Sequence, residues 1–127
     1  MSFETAGYNR RSPLLIGALG RAWLAFCSDE ERRTVLRGIG ARQGPVLTKT
    51  LEQIRRDGFA FTRPPRPMRI HGIAVPILGK DRVLGSLSMR FPRSAMSEEV
   101  VGRRFGRRLA QLARSIAADV DSETTSS

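Results

Sequence analysis

Arg69-Ile70-His71-Gly72-Ile73-Ala74-Val75-Pro76-Ile77-Leu78, followed by Gly79-Lys80-Asp81-Arg82 and then Val83-Leu84-Gly85-Ser86-Leu87-Ser88-Met89, is where the chain changes its period. The first run is mostly apolar with β-branched residues. In the last run Ser86, Ser88 and Arg90 alternate with Leu87 and Met89. Two such runs around a short Gly-containing turn predict an antiparallel β-hairpin whose second strand has one polar face. Just upstream, Phe59-Ala60-Phe61-Thr62 predicts another strand. Arg63-Pro64-Pro65-Arg66-Pro67 halts it, because neither a helix interior nor a central strand accommodates that run.

Helical spacing fills the rest. Gly17 to Cys27 places Leu19, Trp23 and Phe26 at i, i+4 and i+7, which predicts them on the buried face. Gly17, Ala18, Gly20 and Ala22 allow a close approach to that helix's first turn, by a neighbouring element or by a ligand. Ser28 and Glu31 form a capping box opening a second helix through about Ile39, with Asp29, Glu30 and Glu31 at its positive end. Gly38 and Gly40 end it. After a Gly- and Pro-containing loop from Gly40 to Leu47, Thr50 and Gln53 offer a second capping box for a short helix that stops at Gly58. Ser97, Glu98 and Glu99 open a long helix to about Val120, with Val101, Phe105, Leu109, Leu112, Ile116 and Val120 as its apolar stripe. The expected fold is mixed α/β (α+β), an antiparallel sheet flanked by helices. Residues 1–11 are an irregular lead-in, 12–120 the domain and 121–127 a disordered polar tail. Three strands are few for so many helices, as though a first helix and strands were missing at the front.

The chain has 127 residues, 40% of them apolar, which suits one hydrophobic core. No apolar stretch approaches the roughly 20 residues of a membrane span, and the first residues lack the layout of a secretory signal, so the expected location is cytoplasmic. One cysteine, Cys27, excludes an internal disulfide and a cysteine-cluster metal site, and it fits a buried structural thiol. Twenty-two basic against twelve acidic residues leave a formal charge of +10, and all the basic residues but Lys49 and Lys80 are arginine. These arginines are scattered through every segment, often beside acids, whereas a nucleic-acid surface concentrates its charge on one face.

Catalytic groups are sparse. His71 is the only histidine, so no two-histidine metal motif exists and a Ser-His-Asp arrangement has to use His71. No phosphate-binding glycine loop is present. The expectation is no enzyme, no catalytic residue, no metal and no cofactor. Binding is better supplied. The amides near Ala18 and Leu19 would form an anion site if they open a helix, and Ser88 and Arg90 add a hydroxyl and a guanidinium suited to a planar carboxylate. The same residues also suit plain helix packing and a solvent-facing arginine.

Ser12-Pro13-Leu14-Leu15-Ile16-Gly17-Ala18-Leu19-Gly20-Arg21-Ala22-Trp23-Leu24-Ala25-Phe26 resembles the core signature of the IclR-family effector-binding domain. Leu51 to Phe61 resembles that family's short helix and Gly-aromatic strand, Ile73-Ala74-Val75-Pro76-Ile77 its next strand, and Val83 to Ser88 the one after, with the long helix following. The match runs from about Arg11 to Val120. Arg63-Pro64-Pro65-Arg66 and Arg93-Ser94-Ala95-Met96-Ser97 are similar to the branch regulating aromatic-acid catabolism. The resemblance implies a GAF-like domain that binds a small metabolite and signals to an attached winged helix-turn-helix, which is expected to be missing here. It implies ligand-binding roles for the Ala18 and Leu19 amides, for Thr62, and for Ile70, Gly72, Ser88 and Arg90. Thr62 replaces an acid of the best-known keto-acid pattern, Gly72 a cysteine and Arg90 a serine. The exchanges imply a pocket for a carboxylate larger than a two- or three-carbon acid, an aromatic one, with Gly72 opening space.

The implied partners are a small organic acid effector and further copies of the chain in a dimer or tetramer, with DNA reached only through the absent winged helix. Two alternatives stand beside this reading. One is a truncated paralogue acting only as a protein-protein interaction module, through an open sheet edge. The other is a small Arg-rich nucleic-acid-binding protein.

Overall fold

The computed structural model describes residues 13–63 and 69–126, and the expected lead-in and most of the proline-rich run lie outside them. The hairpin is present: β2 (Ile70–Leu78) and β3 (Val83–Pro92) pair antiparallel with Gly72 opposite Arg90 and Ala74 opposite Ser88. The register shifts at Ile77/Leu78, and the turn closes with the Gly79 amide donating to the Arg82 carbonyl at 2.8 Å. β1 (Ala60–Phe61) pairs antiparallel with the other edge of β2, giving the sheet order β1-β2-β3.

Because opposed residues of an antiparallel pair point to the same side, this register sorts the side chains into two faces. Ile73 and Phe91 lie on one face and form a core with Val101 from α5 (Glu98–Ser126), surrounded by Phe59, Phe61, Met89 and Phe105. Ala60 and Ala74 lie on the other. They belong to a second core with Leu24 of α2 (Ala18–Phe26), Leu36 of α3 (Asp29–Gly38) and Leu51 of α4 (Pro45–Asp57). The molecule is thus three layers, with the sheet separating two apolar cores. A single-turn helix, α1 (Pro13–Ile16), precedes α2.

Local sequence explains the helix ends. The Ser28 hydroxyl accepts from the Glu31 amide at 3.1 Å and the Glu31 carboxylate accepts from the Ser28 amide at 3.2 Å, the reciprocal capping box. Gly58 ends α4 in the left-handed region at φ 83°, which glycine adopts without penalty.

Four expectations need correction. The buried stripe of α2 is Ala18, Ala22 and Ala25 with Leu24, whereas Leu19 is 47% exposed and Trp23 and Phe26 are half-buried. The helix is turned by about one residue, roughly 100°, because its alanines pack close over the small Gly72 and Ala74 of the sheet. Helix α4 begins at Pro45, not at Thr50, since proline at the first helical position loses no intrahelical bond. Helix α5 buries Ala113 and Ala117, and Leu112 and Val120 of the predicted stripe stay exposed. A Cβ on Gly102 or Gly106 would meet the Phe59 ring at 3.1–3.3 Å, so glycines and alanines seat this helix. It also runs on to Ser126, past the predicted end near Val120, with no glycine or proline to stop it.

Candidate functional site

The α2-facing side of the hairpin carries most of the predicted site. Thr62 follows β1, and its amide donates to the Gly72 carbonyl at 3.0 Å while its hydroxyl accepts from the Gly72 amide at 3.0 Å. A Cβ built on Gly72 would stand 3.0 Å from that hydroxyl oxygen and 3.6 Å from the Ala18 methyl carbon. Ala18, Thr62 and Gly72 are therefore brought together. The space expected at Gly72 is absent: the Thr62 hydroxyl and the Ala18 methyl take it up, which corrects the sequence reading.

Ile70, Ser88 and Arg90 share the face of Gly72, and all three are exposed. Arg90 stands directly opposite Gly72 in the ladder and is exposed on that face. Leu19 stands over this face with its side chain half exposed. Its carbonyl accepts a 3.0 Å bond from the Ser86 hydroxyl, which ties α2 to β3. Ser86 was missed as a site residue, although its alternation with Ser88 and Arg90 already put it on their face. Gly20 answers the question of close approach: its Cβ would come within 2.6 Å of the Leu14 backbone, so the neighbour is α1.

The clefts among the described residues include one of about 320 Å³ between α2, α4 and β1 and one of about 500 Å³ between the C-terminal half of α5 and the end of β2. Neither is lined by any of the seven predicted residues. The predicted face is an open, partly polar surface beside α2.

Arginines do more inside the molecule than their scatter suggests. Arg32 is 5% exposed, and its guanidinium donates to the Leu24 carbonyl at 2.8 Å, the Cys27 carbonyl at 2.9 Å and Asp29 at 2.8 Å. Arg55 donates to the Ala25 carbonyl at 2.8 Å. Together they satisfy the carbonyls at the C-terminus of α2, where the helix dipole also favours a cation. No sequence motif announced this. Cys27 is buried beside them, and burial pushes its thiol above the usual range.

At the N-terminus of α5, both Glu98 oxygens accept from Arg63, and Oε2 also lies 3.4 Å from His71 Nδ1. The His71 nitrogens are buried without a hydrogen bond of good geometry, and the ring packs on Phe91 at 6.0 Å between centroids. No group of three potential metal ligands occurs among the described residues, and no helix there is long and apolar enough to cross a membrane.

Residues 4–118 match the family described as bacterial transcriptional regulator IclR C-terminal. The HTH-type transcriptional regulator KdgR of Escherichia coli K12 is 29% identical over 99 residues, covering 71% of this chain and 38% of that protein. The chain thus spans less than half the length of this curated relative. The crystal structure of the C-terminal domain of E. coli KdgR is similar at 27% identity with a TM-score of 0.70, covering 84% of this chain and 70% of that one. The PobR inducer-binding domain from Acinetobacter, a double mutant in complex with 3-hydroxybenzoic acid, shares the fold at 16% identity and a TM-score of 0.67. That match covers 83% of this chain and 65% of the other. These relatives are transcriptional regulators rather than enzymes.

Proposed function

Since this chain belongs to the family of bacterial transcriptional regulator IclR C-terminal domains, we propose that it is an effector-binding domain for a small organic acid, acting as part of an oligomeric transcription regulator. The observation that carries the reading is Arg90, exposed and directly opposite Gly72 on the face that Ala18 and Thr62 adjoin. A guanidinium there binds both oxygens of a planar carboxylate. The exposed Ser88 hydroxyl adds a donor, the Thr62 hydroxyl is already engaged with Gly72, and Ile70 and Leu19 offer apolar surface to the body of the acid. Amides of the first turn of α2, at Ala18 and Leu19, are the natural complement to the second oxygen.

An aromatic acid is the ligand class we favour. With Gly72 closed off, the ligand has to lie across the open face rather than enter the sheet, and a flat ring covers Ile70 and Leu19 with most contact. The PobR domain, with its bound hydroxybenzoic acid, shows that this fold serves such a ligand in another protein. Binding alters transcription only insofar as it favours one arrangement of the oligomer over another.

The test is calorimetry of the purified chain against a panel of aromatic and short aliphatic acids, repeated with Arg90→Gln. The expected result is selective binding of one aromatic acid, weakened about tenfold to a hundredfold in the variant, as for loss of a charge-assisted pair. Heats equal to buffer for every acid overturn the reading.

A further inference from the structure

The cleft of about 320 Å³ between α2, α4 and β1 is lined by none of the residues assigned to the effector, and its lining is cationic: Arg21, Lys49 and Arg63 against a single carboxylate, Asp57. That carboxylate already accepts a 2.9 Å bond from Gln53. Arg63 is paired with Glu98. Arg21 makes no ion pair among the described residues. One of its terminal nitrogens donates to the Leu15 carbonyl at 3.2 Å, while its Nε is buried with no acceptor. A buried guanidinium N–H without an acceptor is costly, and two guanidiniums facing one cleft repel.

We propose that this cleft is a binding site for a small oxyanion, a carboxylate or phosphate group, held by the Arg21 guanidinium with Arg63 and Lys49 supplying further positive charge. The anion offsets the repulsion between the two arginines. Thr50 contributes a hydroxyl at the wall, and the Phe59 and Phe61 rings bound the cleft on the β1 side, giving any apolar body attached to the anion a surface to lie on. Burial and the neighbouring Arg63 both weaken the hold of Arg21 on its proton, and only Glu98 acts in the other sense. A bound anion reverses that imbalance. The site does not depend on the effector reading, because none of the residues assigned to the effector lines it.

The experiment is nitrogen-15 NMR of the arginine Nε–H groups of the whole chain at fixed ionic strength. Sodium phosphate and sodium benzoate are titrated separately against a chloride background. The expected result is a saturable shift of the Arg21 signal with at least one of the two. Saturation by phosphate alone identifies a phosphate-type ligand, and by benzoate alone a carboxylate. Affinity should fall about tenfold to a hundredfold in Arg21→Gln, several-fold in Lys49→Gln, and stay unchanged in Arg90→Gln. Lys49 is exposed, so Lys49→Gln decides the matter if Arg21→Gln fails to fold. Absence of a saturable Arg21 shift with either anion overturns the proposal. So does binding indifferent to Lys49→Gln and Arg21→Gln, or binding abolished by Arg90→Gln, which would assign the anion to the other face.

Discussion

Thr62 and Gly72 hold each other from both sides: the threonine amide donates to the glycine carbonyl and the glycine amide donates back to the threonine hydroxyl, each at 3.0 Å. The pair joins the end of β1 to the start of β2 where α2 crosses. Gly72→Ala is expected to cost about 1–3 kcal/mol, because its methyl arrives 3.0 Å from the hydroxyl. Thr62→Ala also destabilises, by leaving the Gly72 amide short of an acceptor. The double variant should cost less than the sum, since removing the hydroxyl makes room for the methyl. Urea unfolding of the four proteins measures the coupling, and strict additivity would contradict the contact.

Gly20 and Gly38 both lie in helices and should respond oppositely to alanine. A Cβ on Gly20 comes within 2.6 Å of the Leu14 backbone, while one on Gly38 meets nothing within 4 Å. Alanine in place of a helical glycine ordinarily gains up to about 1 kcal/mol. Gly38→Ala should raise the melting temperature. Gly20→Ala should lower it and loosen α1, seen as faster amide exchange around Leu14.

Arg32→Met removes the donors that hold the Leu24 and Cys27 carbonyls while keeping much of the side-chain volume. The expected loss is about 2–3 kcal/mol. Arg32→Lys should recover only part of it, because an ammonium cannot reproduce the fork that meets three acceptors at once. Denaturant midpoints check both variants. Equal stability of Arg32→Lys and the parent would show that charge alone matters.

Cys27 yields a pH dependence. Its thiol is held above the ordinary value of 9.0, chiefly by burial. The native state therefore keeps its proton at a pH where the unfolded chain has released it. The contribution of this group is fully present below that ordinary value and is lost as pH rises from there through the higher folded value. Cys27→Ala should flatten the alkaline limb of the stability profile. Alkylation of native protein by iodoacetamide at pH 8 should be far slower than that of denatured protein.

Much of the architecture was legible because its signals are local. The Ser28–Glu31 box, the Gly79–Arg82 turn and the alternation of Ser86, Ser88 and Arg90 each concern residues a few positions apart. The failures concern what lies opposite. Leu19, Trp23 and Phe26 do form a helical stripe, but the sheet beneath α2 offers small residues at Gly72 and Ala74, and the alanine face fits them. The same applies to α5, where Phe59 seats against Gly102 and Gly106 and leaves Leu112 outward. At the candidate site the family resemblance named Ala18, Thr62 and Gly72 as ligand positions, and the structure brings these three together. The sequence could not show that the Thr62 hydroxyl fills the space beside Gly72, because that contact joins two strands.

The internal ties made by Arg32, Arg55 and Arg63 bear on what the arginine-rich composition means. A version of this chain with every arginine replaced by lysine would keep its formal charge of +10 and migrate almost identically in an electric field. It would nonetheless lose the forks that hold α2 at its C-terminus and fasten the end of β1 to α5. Charge titration would not distinguish the two chains, whereas heating would. In this protein the choice of cation is an architectural variable, independent of the amount of charge carried.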